Sequence, residues 1–248
     1  MWQDVIEKEM TAVCVAFKTL NEGDQPPPGY QYMQCHMIFE IKLDGFRRKA
    51  RLVGAGCMVK DIPAVVTYAS VVLLETVRIA LTIAALNDME VKASDVMNAF
   101  LTVPCAEKIW TTLGPEFGDD VGKKAIIVWA LYGLKSAGAS FGNHIADCKR
   151  LLGYEPCRAD PDLWFKAQVR PDGGFEYYEY VLLSVDDSLA ISHDAMAALD
   201  RMDKFFIMKK GSIGDPDIYL GTELRKVQLI ADTHRSEERR VSAIGTNR

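Results

Sequence analysis

The fold is decided by residues 180–191, which read Tyr-Val-Leu-Leu-Ser-Val-Asp-Asp-Ser-Leu-Ala-Ile. Two apolar runs flank the adjacent carboxylates of Asp186 and Asp187. Strand, acidic tip and strand predict a β-hairpin over about 177–192, although the turn lacks the Asn-Gly pair of the tightest hairpins. Adjacent carboxylates repel each other and are costly to desolvate, and a divalent metal ion is their usual counter-charge. The alternative is a solvated turn that contains two aspartates by chance.

Composition describes an ordinary globular protein. Of the 248 residues, 49% are hydrophobic and 25% are charged, which suits one large domain or two small ones. The net charge of −5 gives no global basic field for nucleic acid. The six cysteines form no Cys-x-x-Cys pair, and the chain shows neither a signal-peptide pattern nor an apolar run of transmembrane length. These features predict an intracellular protein, neither secreted nor in a membrane.

Apolar spacing divides most of the chain into helices and strands. It predicts helices over 2–20, 71–87, 137–153 and 194–206. It predicts further strands over 32–42, 50–53, 91–96, 125–131 and 218–224. The last part, 228–248, is charged and patternless, which predicts a disordered or non-homologous tail.

A basic cluster lies on the predicted hairpin that Asp44-Gly45 would turn. Its charges give 5 − 1 = +4, from Lys42, Arg47, Arg48, Lys49 and Arg51 against Asp44. Such a cluster can be a solvated face or a charge-protected sheet edge. It can equally be a cradle for phosphate groups. The local sequence leaves both interpretations open.

A possible catalytic serine lies in Gly138-Ala-Ser-Phe-Gly142, which matches the Gly-x-Ser-x-Gly elbow of serine hydrolases. That elbow needs a strand that runs directly into the first glycine, and here residues 135–137 intervene. No glycine-rich oxyanion segment lies upstream. A hydrolase that uses Ser140 is therefore a remote alternative.

A third carboxylate, Asp95, is predicted to end the strand 91–96. It could cap the following turn. It could also meet Asp186 and Asp187 at one edge of an antiparallel sheet. Three such carboxylates suit two Mg²⁺ or Mn²⁺ ions that bridge the attacking and leaving oxygens of an in-line phosphoryl transfer. The architecture that this implies is the palm of a nucleotidyl-transferring polymerase.

At this point the chain resembles the reverse transcriptase domain of copia-type retrotransposon Pol polyproteins, from about Trp2 to Leu224. Each matching block is short, and their order and spacing carry the resemblance. The blocks are Lys49-Ala-Arg-Leu-Val53, Tyr68-Ala-Ser-Val-Val72 with Glu75-Thr-Val-Arg78, Asp95-Val-Met-Asn-Ala-Phe-Leu101, Leu131-Tyr-Gly-Leu-Lys135, Val185-Asp-Asp187 and Tyr219-Leu-Gly221.

The resemblance implies an α+β, right-hand fold of fingers and palm, with an antiparallel palm sheet flanked by helices. Residues 1–90 would be fingers-like and 91–227 palm-like, with a possible fingers insertion at 102–130. The implied activity is RNA-directed DNA synthesis from dNTPs on an RNA or DNA template-primer. Other Pol segments, the integrase and RNase H, would lie outside this chain. The implied location is a cytoplasmic virus-like particle or the nucleus.

The resemblance also assigns roles to individual residues. Asp95, Asp186 and Asp187 would be catalytic and would hold two Mg²⁺ or Mn²⁺ ions, together with the backbone of Val96. Nucleotide binding would fall to Lys42, Lys49, Arg51, Ala99, Phe100 and Lys135. Phe100 would exclude a ribose 2′-OH, where ordinary core packing is the alternative. Contacts to template or primer would fall to Gly133, Leu134, Ser184, Leu220 and Gly221.

Several positions depart from the family pattern. Ser184 replaces the tyrosine that usually precedes Val-Asp-Asp, and Ser136-Ala-Gly-Ala139 stands where Gln-Ala-Pro-Arg is common. Ser70 replaces a usual proline. The second hypothesis is therefore a catalytically inactive remnant that only binds nucleic acid.

Overall fold

The computed structural model describes residues 2–42, 44–60, 67–170, 172–209, 211–228 and 242–244. The helices are α1 (Trp2–Val13), α2 (Leu74–Leu86), α3 (Ala137–Leu151) and α4 (Ala195–Asp203). The strands are β1 (Phe17–Thr19), β2 (Gln31–Tyr32), β3 (Cys35–Lys42), β4 (Arg47–Gly54), β5 (Glu90–Asp95), β6 (Ile109–Thr112), β7 (Lys124–Ile127), β8 (Glu155–Pro156), β9 (Leu163–Val169), β10 (Glu176–Ser184), β11 (Asp187–Ser192), β12 (Ile218–Tyr219), β13 (Thr222–Glu223), β14 (Lys226–Gln228) and β15 (Ser242–Ile244).

The chain forms two compact units. Unit 1 comprises residues 1–69 and 98–144, and unit 2 comprises residues 70–97 and 145–248. The predicted boundary between residues 90 and 91, with its possible fingers insertion at 102–130, stays a prediction. The mixed α/β architecture with several sheets agrees with the prediction, whereas the assignment of fingers and palm stays a prediction.

Unit 1 contains a four-stranded sheet and a separate hairpin. The sheet has the order β1-β7-β6-β2, and the hairpin pairs β3 with β4 from Cys35 opposite Gly54 to Lys42 opposite Arg47. Helix α1 packs against β4. Its Glu9 carboxylate accepts the backbone N–H of Leu52 at 3.0 Å, which fixes the helix to the hairpin.

Unit 2 is built on a five-stranded sheet of order β5-β11-β10-β9-β8, in which all neighbours are antiparallel. All residues of β11 from Ser188 to Ser192 are buried. Because successive strand residues face opposite sides, both faces of this central strand are covered. One face packs with α2 in an apolar cluster that includes Leu182, Leu189 and Ile191. Helix α4 also packs against β11 and β5.

Three predicted segments differ from the structure. The N-terminal helix ends at Val13 rather than residue 20, because Phe17–Thr19 pair with β7 as a strand. The predicted strand 125–131 ends at Ile127. Residues 218–224 form not one strand but a hairpin, since Leu220 and Gly221 both adopt positive φ angles, 49° and 70°, between β12 and β13.

The predicted tail begins at residue 228. Ser242–Ile244 pair with Lys226–Gln228. The rest of the tail, 229–241 and 245–248, lies outside the described residues, so its predicted disorder stays a prediction. Among the residues that the structure describes, no helix is both long enough and apolar enough to cross a membrane.

A buried lysine in unit 2 provides a test of the fold. Lys149 is fully buried, and its Nζ has no hydrogen-bond partner among the described residues. The ammonium lies 5.4 Å from the centre of the Trp164 ring, a contact that offsets only part of the cost of burial. Burial holds the pKa of Lys149 well below its usual value of 10.5, and the nearby Asp162 opposes this shift more weakly.

Replacing Lys149 by methionine is therefore expected to stabilise the protein at pH 7, by about 1–3 kcal/mol. The pKa of Lys149 is lower in the folded protein than in the unfolded chain, so between these two pKa values the unfolded chain binds more protons. The wild type therefore loses stability as the pH falls from 10.5 toward the pKa of Lys149 in the folded protein. The difference in the free energy of unfolding between the variant and the wild type, measured by urea unfolding, should thus be smaller at pH 10 than at pH 7. Lys166→Met is the control, since the Lys166 ammonium donates to the Leu152 carbonyl at 2.7 Å. A stability difference between Lys149→Met and the wild type that does not change with pH would contradict a lowered pKa of Lys149 in the folded protein.

Candidate functional site

The candidate site lies at the edge of the unit 2 sheet where β5 ends and β11 begins. Asp187, the first residue of β11, is directly opposite Asp95, the last residue of β5. Directly opposite residues on antiparallel strands place their side chains on one face, with Cβ atoms about 5 Å apart. The Asp186 carbonyl accepts the backbone N–H of Val96 at 3.0 Å. The structure thus brings the two acidic segments together on bonded strands.

The turn that carries these carboxylates has a strained backbone. Ser184 pairs with Asp187, so Val185 and Asp186 form a two-residue loop. Val185 has a φ of 55°. A β-branched residue is rarely found at such an angle, because its Cβ substituents meet the backbone. Strain of this kind persists where the surrounding structure enforces it, and it clusters at functional sites.

A lysine that the sequence did not single out contacts the first carboxylate. The Lys209 ammonium lies 2.5 Å from Oδ2 of Asp95, and the Lys209 N–H donates to the Asp95 carbonyl at 2.9 Å. The Asp95 N–H in turn donates to the Ser212 hydroxyl at 3.1 Å. The segment after α4 thus holds the Asp95 backbone through the Lys209 N–H and the Ser212 hydroxyl. No local sequence signal predicted the contact between Lys209 and Asp95.

The donor chemistry of the site fits Mg²⁺ or Mn²⁺. Its side-chain donors are carboxylate oxygens, the ligands that hard divalent ions prefer. Within the described part of the chain, no group of three or more His, Cys, Asp or Glu side chains is placed so that it could hold a metal ion by itself. The pair of Asp95 and Asp187 suits an ion whose other ligands are water and substrate phosphate. Metal binding by Asp186 and by the Val96 backbone stays a prediction.

The hairpin of β12 and β13 lies near the same edge. The Tyr219 hydroxyl donates to the Leu182 carbonyl at 3.3 Å. Burial raises the pKa of Tyr219, and the negative charge of Asp187 raises it further. Leu220 and Gly221, predicted to contact the primer, form the turn that follows Tyr219. Contacts of Leu220, Gly221 and Ser184 with primer stay predictions.

Unit 1 gathers three of the predicted nucleotide-binding residues around one cavity of about 70 Å³. Lys49, Arg51 and Phe100 line it, together with Glu9 and Tyr132. The Arg51 guanidinium lies 5.0 Å from the centre of the Tyr132 ring, and the Phe100 ring lies 4.7 Å from the same ring. This cavity is smaller than typical ligand pockets of about 300 Å³ or more, so it would take part of a ligand.

The predicted basic hairpin is present. Because successive side chains of a strand point to opposite faces, its charges are divided between the two faces of the hairpin. Lys42, Arg47, Lys49 and Arg51 fall on one face, with Glu40 opposite Lys49, which gives 4 − 1 = +3 for that face. Lys42 is exposed and is not among the residues that line the cavity. Ala99 is fully buried beside Phe100, and its predicted contact with a nucleotide stays a prediction.

The block from Gly133 to Lys135 has structural contacts of its own. Gly133 has a φ of 88°, and a Cβ there would clash with the Gly54 carbonyl. Leu134 is buried. The Lys135 ammonium donates to the Val59 carbonyl at 2.8 Å. These contacts explain the residue types without a ligand, and the predicted nucleotide and template contacts of this block stay predictions.

The structure does not support the serine hydrolase alternative. Ser140 lies inside α3, where its N–H donates to the Ser136 carbonyl at 2.8 Å. The preceding strand, β7, ends at Ile127. A nucleophile elbow requires a sharp turn between a strand and a helix, and here the serine is part of a regular helical turn.

Comparison with known proteins gives concordant matches. Residues 25–235 match the family described as Reverse transcriptase (RNA-dependent DNA polymerase). The chain is 29% identical over 229 residues to the Retrovirus-related Pol polyprotein from transposon TNT 1-94 of Nicotiana tabacum, covering 88% of this chain and 17% of that protein. It is 26% identical over 236 residues to the Retrovirus-related Pol polyprotein from transposon RE2 of Arabidopsis thaliana, covering 91% of this chain and 16% of that protein.

The chain therefore spans about a sixth of the length of these relatives. The family match covers well over half of the chain and reaches into the predicted tail, to residue 235. The resemblance inferred from the sequence motifs is confirmed, and the chain belongs to the reverse transcriptase (RNA-dependent DNA polymerase) family.

Proposed function

We propose that the chain is the RNA-directed DNA polymerase domain of a retrotransposon Pol polyprotein and adds deoxynucleotides to a primer 3′-hydroxyl. The observation that carries this proposal is the placement of Asp95 opposite Asp187, beside the strained turn of Val185. The five-stranded sheet of unit 2 would be the palm. The β3–β4 hairpin of unit 1 would belong to the fingers.

The carboxylates of unit 2 would hold the ions. Asp95, Asp186 and Asp187 would hold two Mg²⁺ or Mn²⁺ ions. When bound, such ions polarise the phosphoryl group and favour deprotonation of the attacking hydroxyl. The protein fixes the carboxylates in advance through the β5–β11 ladder and the bond from Val96 to Asp186. Such preorganisation lowers the cost of assembling charged ligands around the reacting phosphate.

The cationic cavity of unit 1 would serve the incoming nucleotide. Lys49 and Arg51 would neutralise phosphate charge, and the contact of Arg51 with the Tyr132 ring restricts the guanidinium. Phe100 would limit the space beside the sugar. Its contacts with Tyr132 and Phe141, at centroid distances of 4.7 and 6.3 Å, restrict the ring.

Replacing Phe100 by leucine is expected to raise the ratio of ribonucleotide to deoxynucleotide incorporation by about tenfold or more, because a smaller side chain leaves space for a 2′-OH. The ratio is measured by single-nucleotide extension with dATP and ATP on the same template. Tyr132→Phe is the control, since it keeps the ring against Phe100. If Phe100 is only a packing residue, the variant will lose stability and keep the wild-type ratio.

An inactive remnant is the second candidate. The replacement of the usual tyrosine by Ser184 favours it, because a small side chain supports the strained turn less than an aromatic ring would. Incubation with a labelled primer, an RNA template, dNTPs and Mg²⁺ or Mn²⁺ separates the two. A polymerase extends the primer in a template-dependent manner. A remnant retains the template-primer in fluorescence anisotropy and extends it with neither metal.

The relatives suggest the wider context. Because they are Pol polyproteins and this chain spans 16–17% of their length, we propose that integrase and RNase H segments act with it. The expected partners are an RNA or DNA template-primer and dNTPs.

A further inference from the structure

Lys209 forms a direct contact with a carboxylate that the proposed function assigns to metal binding. Its ammonium lies 2.5 Å from Oδ2 of Asp95. The Asp95 side chain is 27% exposed, whereas that of Lys209 is 57% exposed. The carboxylate is thus the less accessible partner. Its negative charge is balanced by the Lys209 ammonium, whose exposed side chain has room to move into solvent.

The backbone holds Lys209 at this position. Residues 207–209 run beside residues 95–97, where the Met97 N–H donates to the Ile207 carbonyl at 2.9 Å and Val96 bridges Met208. The Lys209 N–H donates to the Asp95 carbonyl at 2.9 Å. The Lys209 Cα therefore stays next to Asp95 whatever the side chain does. Only the side chain has to move to expose the carboxylate oxygen.

Lys92, which lies in β5 like Asp95, forms an ordinary surface ion pair. The Lys92 ammonium lies 2.8 Å from Asp215, and there the carboxylate is 85% exposed. An exposed carboxylate is hydrated without a partner, so this pair contributes little to stability or binding. Asp95 differs because it is partly shielded and lies opposite a second carboxylate, Asp187.

An ammonium and a divalent ion on one carboxylate repel each other strongly, because their positive charges then lie only a few ångströms apart. We propose that Lys209 is a built-in counter-ion of Asp95 that competes with the divalent metal, so that the metal binds more tightly when the Lys209 side chain moves away. This inference rests on the proposed function, since it concerns the same carboxylates. Lys209 acts through Asp95, and it sets the metal concentration at which the site is half occupied.

The test is Mn²⁺ binding, measured by electron paramagnetic resonance of free Mn²⁺ in titrations of the 248-residue chain without nucleotide or nucleic acid. Lys209→Gln is expected to bind Mn²⁺ about tenfold more tightly than the wild type, because the competing charge is gone. Lys209→Arg keeps the charge and should bind like the wild type. Lys92→Gln removes a lysine of the same sheet and should also bind like the wild type. Circular dichroism confirms that each variant is folded.

The outcomes separate this inference from the proposed function. Tighter binding in Lys209→Gln alone supports the competition. Equal binding by the wild type and Lys209→Gln, with loss of binding in Asp95→Asn, overturns the competition and leaves the metal site standing. Equal tightening in Lys92→Gln also overturns it, because a general charge effect would then suffice. Unchanged binding in Asp95→Asn overturns both the metal site and the competition.

Discussion

Replacing Asp95 by asparagine is expected to slow nucleotide addition by about 1000-fold or more, which corresponds to a loss of about 4 kcal/mol of transition-state stabilisation. The amide has the shape of the carboxylate and lacks its charge, so it is a poor ligand for a divalent ion. The fold should be unchanged, because Asp95 is also held through its backbone and the Lys209 ammonium that loses its partner is 57% exposed and can be hydrated. Its N–H donates to the Ser212 hydroxyl, and its carbonyl accepts from the Lys209 N–H. The measurement is the single-turnover rate of adding one complementary dNTP.

A matched control for Asp95 exists in the same unit. Asp215 also pairs with a lysine, at 2.8 Å from the Lys92 ammonium, and its carboxylate is 85% exposed. Asp215→Asn removes the same charge outside the candidate site and should change the rate by less than about twofold. A slow Asp95→Asn variant beside a normal Asp215→Asn variant would locate the chemistry at the sheet edge. Similar rates in both variants would remove Asp95 from the mechanism.

Replacing Glu179 by glutamine is expected to destabilise the protein by about 2–4 kcal/mol. The Glu179 side chain is only 2% exposed, and it lies 2.5 Å from the Arg201 guanidinium. The same carboxylate accepts the Tyr154 hydroxyl at 2.5 Å and the Ser192 hydroxyl at 3.0 Å. Burial raises the pKa of Tyr154 and the carboxylate charge adds to this shift, so the phenol remains a donor. The network ties β10 and β11 to α4 and to the turn before β8.

The cost arises because the substitution leaves the guanidinium of Arg201 without its anion. Arg201 is 26% exposed, so water recovers part of the loss, and the expected value lies below that of a fully buried pair. Urea unfolding measures the change as a shift of the midpoint at constant slope. The double variant Glu179→Gln/Arg201→Met should lose less than the sum of the single variants. Glu223→Gln, in an exposed pair with Arg225, should cost under about 0.5 kcal/mol. A similar small cost at Glu179 would contradict the buried network.

Local sequence patterns predicted the elements whose pairing is also local. The hairpin of β10 and β11 was predicted because two apolar runs lie on either side of one acidic tip. The β3–β4 hairpin followed from Asp44-Gly45 between extended runs. In both cases the turn and its strands are neighbours in sequence, so short-range pattern and final structure agree.

Errors arose where distant pairing or an unusual backbone decided the structure. The apolar spacing of the first helix continues to Phe17, yet Phe17–Thr19 pair with β7, more than a hundred residues later. Leu220 gave no signal that it would adopt a positive φ, although the neighbouring Gly221 permits one. The prediction of a single strand over residues 218–224 is therefore wrong, and these residues form the β12–β13 hairpin.

In the candidate site, too, the sequence predicted what neighbouring residues decide and missed what distant residues decide. The pattern indicated that Asp95 ends a strand and that Asp186 and Asp187 form a tip, and the ladder of β5 and β11 joins them. The contact of Lys209 with Asp95 spans 114 residues, and nothing near Lys209 in the sequence indicates it. Nor did the sequence predict the strained φ of Val185, because valine favours extended backbone.

We propose that the acidic edge of the unit 2 sheet performs template-directed nucleotide transfer. The most direct test extends a labelled primer on an RNA template by one nucleotide, with the wild type beside Asp95→Asn and Asp186→Asn. We predict product from the wild type only, with the complementary dNTP only, and only when Mg²⁺ or Mn²⁺ is added. Equal product from the wild type and both variants, or no product from the wild type with either metal, would contradict the claim.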